Sequence, residues 1–186
     1  MNLEQEILKE HSKRKTQKIA CWIGADPGRF SLLMKLFLHG EPVVVQRGAW
    51  IVSQCAERYP SLILPWLKKL IARIEEKNLH NAVQRNGFRA LQFVDIPRSL
   101  QGKVFDLCLN TLRAVENPVA VKVYAMYILK ELVRQEPDLK QEVLLTVQEM
   151  LPYSTGGILA AAKKIIVALS EKPKAVGKKR HNNRLT

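Results

Sequence analysis

The chain has 186 residues, 47% apolar and 25% charged, which suits one packed domain and excludes a disordered, collagen-like or fibrous chain over most of its length. Thirty Lys and Arg face 17 Asp and Glu, a net charge of +13. Six of those cations (Lys172, Lys174, Lys178, Lys179, Arg180 and Arg184) fall in the last fifteen residues, so residues 1–171 carry +7.

Internal repetition organises the chain. Val45-Gln46-Arg47 recurs as Val83-Gln84-Arg85, and Ser61-Leu62 as Ser99-Leu100, both 38 positions on. Pro42-Val43-Val44-Val45 is echoed by Pro118-Val119-Ala120-Val121, two such periods later. A period of this length marks a supersecondary unit that is stacked many times. In chain order, an N-terminal segment carries Cys21-Trp22 and turns at Asp26-Pro27. Helices are then predicted near residues 43–57, 61–74, 81–94, 99–115, 119–135, 138–150 and 157–170, with no strand pattern anywhere.

Each copy repeats the same devices. A small residue followed by a large one occurs at Ala49-Trp50, Gly87-Phe88 and Ala125-Met126, and Cys21-Trp22 fits the pattern. The small member lets a neighbouring helix come close and the large one fills the adjoining gap, so Trp50 and Phe88 are expected to be largely buried. Pro27, Pro60, Pro97 and Pro137 follow the first helices, because proline ends one helix yet is tolerated in the first turn of the next. The second helices carry apolar stripes: Ile63, Leu67, Leu70 and Ile74; then Val104, Cys108, Leu112 and Val115; then Val143, Val147 and Met150. Breakers such as His39-Gly40-Glu41-Pro42 and Glu116-Asn117-Pro118 separate the copies. Leu159, Ile165, Ile166 and Leu169 give the last helix an apolar side with which to cap a stack.

A helix pair of this size cannot bury its own apolar face, so the copies must stack and share a core. The result is an all-α solenoid over residues 1–171, followed by a basic tail, 172–186, with almost no apolar anchor and expected to be disordered alone. Paired helices, the 38-residue period, and a Pro turn followed by Ser or Asp then Leu resemble the HEAT and armadillo class of repeats. The Trp-Leu-Gly-Tyr pattern of tetratricopeptide repeats is missing.

The resemblance tightens over Glu10-His11-Ser12, Thr16-Gln17-Lys18-Ile19, Ile23-Gly24-Ala25-Asp26-Pro27, Gln46-Arg47-Gly48-Ala49-Trp50, and the run from Leu62 to Ile71. Together these are similar to a family of small bacterial HEAT-like proteins of Bacteroidetes type, over about residues 3 to 170. Members of that family are often catalogued as adenylosuccinate lyase, so the resemblance also implies lyase activity. Lyases of that superfamily share a long helical body, a tetrameric active site and a Ser-Ser-x-Met-Pro-x-Lys loop. Met150-Leu151-Pro152-Tyr153-Ser154 shares only composition with that loop. His11, His39, His80 and His181 are scattered where acid and base groups would have to converge. No catalytic residue, cofactor or metal site is therefore expected.

Other motifs have structural explanations. Trp22 and Asp26 stand four apart, which resembles the tryptophan and aspartate of HEAT-like DNA alkylpurine glycosylases, but Asp26 before Pro27 is also the usual order of an N-cap and first helical residue. Trp66 lies beside the Ile63, Leu67 and Leu70 stripe and is expected at the core edge. Ser154-Thr155-Gly156-Gly157 lacks the Gly-Lys-Ser/Thr ending of a phosphate loop. Cys21, Cys55 and Cys108 have no CxxC or Cys/His spacing and read as inert, buried, reduced thiols. With an acidic N-terminus and no apolar run long enough for a membrane span, the expected location is cytoplasmic.

The basic residues carry the functional signal. Arg29, Lys35, Lys68, Lys69, Arg73, Lys103 and Arg113 fall off the apolar stripes of the second helices, on what the HEAT resemblance implies is the concave side. Asp106 interrupts them, and Glu142 and Glu149 balance Lys140 on the fourth such helix. A face of this kind meets an acidic protein or neutralises phosphates. The tail is either a basic arm for nonspecific contacts or a solubilising end. A protein partner leads, nucleic acid is the alternative, and neither a membrane nor a small-molecule substrate is expected.

Overall fold

The computed structural model describes residues 1–171, which form ten α-helices with no strand among the described residues. The tail, 172–186, lies outside the described residues. In chain order the helices are α1 (Leu3–Lys9), α2 (Lys13–Ile23), α3 (Pro27–His39), α4 (Pro42–Arg58) and α5 (Leu67–Ile74). They continue with α6 (Asn81–Leu91), α7 (Arg98–Arg113), α8 (Val119–Gln135), α9 (Lys140–Met150) and α10 (Gly156–Ser170). The stack has two layers. Helices α2, α4, α6, α8 and α10 lie side by side in that order, and α3, α5, α7 and α9 each pack on the first-layer helix that follows them. One continuous core runs from Leu3 to Leu169. None of the described helices is long and apolar enough to cross a membrane.

The repeat columns explain why the layers close. Val45, Val83 and Val121, one period apart, are all buried, as are Ala49 and Ala125. Gly87 marks the tightest approach: a Cβ there would stand 2.2 Å from Ile74 Cγ2, so only glycine lets α5 and α6 meet at this distance. Polar links join successive copies, with Ser53 Oγ donating to Asn86 Oδ1 at 3.0 Å and Gln101 Nε2 donating to Gln135 Oε1 at 2.7 Å. Side-chain caps start several helices: Asn2, Ser12, Asp26 and His80 each accept a backbone N–H of the first turn.

Several expectations are corrected. The helix expected over 61–74 is two short 3₁₀ turns, Pro60–Leu62 and Leu64–Trp66, before α5 begins at Leu67. Pro65 lacks an amide proton and its ring blocks the preceding turn, although Ile63, Leu67, Leu70 and Ile74 are buried as the stripe requires. The same happens at Pro137–Leu139, ahead of α9. Helix α6 stops at Leu91 rather than 94, and α7 stops at Arg113, which leaves Val115 90% exposed instead of in the stripe. Phe88 is sealed, but Trp50 is only half-buried because a crevice of about 170 Å³, lined by Lys13, Gln17 and Arg89, stays open beside its ring. Cys55 and Cys108 are buried, and burial pushes the Cys55 thiol up to about 12. Cys21 is exposed, because it sits 28 positions before Ala49, not a full period, and α2 turns Ala20 inward in its place.

Candidate binding face

All seven of the basic residues singled out in the sequence lie in the second layer. Four of them meet carboxylates. Arg29 is held beside the start of its own helix: its guanidinium stacks 4.7 Å over the Trp22 ring, donates to the Trp22 carbonyl at 2.6 Å, and approaches Asp26 at 3.5 Å. Asp26 accepts from the backbone N–H groups of Gly28 and Arg29, at 2.8 and 3.0 Å. The hydrogen bond from the Arg29 amide is the main reason its carboxyl is held below the ordinary range. This is a helix cap with a cation stacked behind it, so the Trp22 and Asp26 pair has a structural role here.

Further along the layer, Arg73 bonds to Glu76, Lys103 reaches Glu75 at 2.8 Å, and Arg113 lies 3.8 Å from Glu142. The Lys103 to Glu75 pair spans from α7 to the C-terminal end of α5, across an open cavity of about 910 Å³ that Asp106 also lines. Lys35, Lys68 and Lys69 are exposed and have no carboxylate partner among the described residues. Lys69 stands 5.3 Å over the half-buried Trp66 ring, which confirms Trp66 at the edge of the core. Exposed pairs of this kind contribute little to stability, about 0–1 kcal/mol each, so their arrangement bears on recognition more than on folding.

The residues expected to be inert for catalysis occupy separate places. His11 packs edge-on to Trp50 with ring centroids 5.7 Å apart, His39 ends α3, and His80 Nδ1 accepts from the Ala82 amide at 3.1 Å. His181 lies outside the described residues. Ser154 Oγ donates to the Met150 carbonyl at 2.7 Å. No group of three or more His, Cys, Asp or Glu that could hold a metal occurs among the described residues.

Two features escaped the sequence reading. Cys21 Sγ accepts from Arg58 Nη1 at 2.9 Å, a contact across 37 residues that no local pattern reveals. Lys122, on the first-layer helix α8, is 8% exposed. Its signal is present in the sequence, because it stands one period after Gln84 and two after Gln46, a polar column that changes from amide to ammonium.

A two-layer stack of paired helices with one shared core and a repeat of this length is the HEAT class of α-solenoid. A family profile for the HEAT repeat domain matches residues 3–169, and the chain belongs to that family. Comparison with curated proteins and with solved structures gave no match.

Proposed function

We propose that the protein is a noncatalytic scaffold whose second helical layer binds another protein. The observation that carries this is the interleaving of signs on that layer: Asp26, Glu75, Glu76 and Glu142 each pair with one of the seven basic residues, and Asp106 lies among them. A face with both charges complements the mixed polar rim of a protein. A phosphate backbone presents one sign only, and would meet carboxylates there. The separate settings of the histidines and the local bond of Ser154 support a noncatalytic reading over the lyase one.

Nucleic-acid binding of the kind seen in DNA alkylation repair proteins is the second reading, favoured by one observation: Lys35, Lys68 and Lys69 have no carboxylate partner among the described residues, and Lys69 sits on an aromatic ring. A pull-down from nuclease-treated lysate, with the wild-type chain beside a Lys68→Glu, Lys69→Glu, Arg73→Glu variant, separates the two. Protein partners retained by the wild type and lost by a variant with an unchanged circular dichroism spectrum are the expected result. Partners that vanish on nuclease treatment alone would replace the first reading with the second.

A further inference from the structure

A cavity of about 360 Å³ opens near the C-terminal end of the stack, where the end of α7, the start of α8, the end of α9 and the start of α10 come together. Leu112, Val119, Met150 and Ile158 give it apolar walls. A concave space of this size with a few convergent polar groups is the usual form of a ligand site. Lys122 lines it, only 8% exposed, with no carboxylate and no hydrogen-bond acceptor for its ammonium among the described residues. Arg73 Nε is the single side-chain nitrogen or oxygen that is sealed without a partner among those residues, so the Lys122 ammonium is not sealed. The cavity is where it opens.

Lys122 is nine-tenths buried as a residue and its ammonium, open to the cavity, has no counter-ion among the described residues, so an anion held there would gain a charge-assisted hydrogen bond. The lining also says which anion. Arg113 also lines it but already faces Glu142 at 3.8 Å, and Glu149 adds a carboxylate, so Lys122 supplies the one positive charge without a carboxylate partner among the described residues. One charge suits a carboxylate better than a doubly charged phosphate. Thr146, 4% exposed, accepts from Arg113 at 3.5 Å and makes no donation among the described residues, so its hydroxyl proton is available to the same anion. Val115 and Tyr153, 90% and 92% exposed, extend the apolar lining outwards.

We propose that this cavity binds a carboxylate carried on an apolar group, with the carboxylate at Lys122 and the apolar part against Val119 and Ile158. The site meets the protein-binding face at Arg113 but does not rest on that reading, and it departs from the expectation that no small molecule is taken up. A free organic acid and the C-terminus of a peptide present the same chemistry. The test is an amide-resolved NMR titration of the 186-residue chain. The probes are 4-phenylbutyrate against 4-phenyl-1-butanol, acetyl-Ala-Ala-Leu-Phe with a free against an amidated end, and phenyl phosphate.

At least one of the two acids is expected to shift amides near residues 119–123 and 155–159. It should bind about tenfold or more tightly than its neutral counterpart, as a buried charge-assisted bond requires. Which acid binds identifies the source. Lys122→Met should reduce the acid to the affinity of the neutral probe; should that variant not fold, the acid and neutral probes on the wild type decide alone. Equal binding by acid and neutral probe, no shift with either acid, phenyl phosphate binding more tightly than both acids, or a folded Lys122→Met that binds unchanged would each overturn the proposal.

Discussion

In the middle of the stack, Gln84 on α6 donates to Asn117 at 3.3 Å, Gly87 brings Ile74 against the helix backbone, and Phe88 is fully enclosed. At the C-terminal end, the residue one period after Gln84 is Lys122, which has no partner among the described residues and opens on a cavity. The two regions share the same buried valine and the same small-then-large pair, Gly87-Phe88 and Ala125-Met126. They differ in what a single polar position does. In the middle copy that position joins its neighbours, while in the last full copy it has no such partner among the described residues and faces a cavity.

The largest effect should come from emptying the middle. Phe88→Ala is expected to destabilise the chain by about 3–5 kcal/mol in urea unfolding, as loss of a sealed aromatic does, and Trp50→Ala by less, because its side chain is partly exposed. Equal losses at the two positions would remove the distinction between a flanked column and an open one. Gly87→Ala comes next. Overpacking costs about 1–3 kcal/mol and the better helix propensity returns about 1, so the net change should be a loss of about 1 kcal/mol. At the other end, a Cβ on Gly156 meets nothing within 4 Å, and Gly156→Ala should be neutral or slightly stabilising in the same assay.

The polar column sharpens the comparison with a smaller effect of opposite sign at its two members. Gln84→Met loses a hydrogen bond and should cost about 0.5–1.5 kcal/mol. Lys122→Met replaces a largely buried side chain, whose ammonium has no partner among the described residues, with an apolar one and should raise the urea midpoint, by about 0.5–1 kcal/mol in stability, which is the usual exchange of stability against a binding group. A loss at Lys122 would mean that its ammonium is satisfied in the folded chain.

The smallest effect lies at the N-terminal end. Hydrogen bonds from Lys15 and then Lys9 hold the Glu6 carboxyl at about 2, against an ordinary 4.5, and the one from Lys15 ties α2 to α1. Because the folded value is depressed, the stabilisation is complete above about pH 4.5 and is lost as the pH falls toward 2. Thermal melts of the wild type and Glu6→Gln should therefore differ at pH 6 and converge near pH 2. Parallel curves across that range would assign Glu6 no role in docking α1.

Much of the fold was legible because stacking forces a period on the residues that touch. The valine column, the small-large pairs and the Pro turns all mark where one copy meets the next, and each is a short-range pattern. The 3₁₀ turn at Leu64–Trp66 was legible too, in Pro65, but the apolar stripe around it outweighed that signal. For the binding face, the pairs of Arg29 with Asp26 and Arg73 with Glu76 lie three residues apart at a helix end and follow from their closeness in sequence. The pairs of Lys103 with Glu75 and Arg113 with Glu142 join different copies, so their existence depends on how far the layers are offset, which no local pattern encodes. Lys122 stands on a first-layer helix, apart from the cations of the second helices, so its charge belongs to no basic stripe in the sequence.

The mixed-charge face is tested most directly by the salt dependence of nucleic-acid binding. Affinity for a short DNA duplex, measured by fluorescence anisotropy across a range of salt, is compared between the wild type and the Lys68→Glu, Lys69→Glu, Arg73→Glu variant. If these residues are not phosphate contacts, the two slopes of log affinity against log salt should agree to within about one unit, whatever the basic tail adds to both. Three lost phosphate contacts would flatten the variant's slope by about 2.7, and that result would contradict a protein-binding face and make the second layer a nucleic-acid groove.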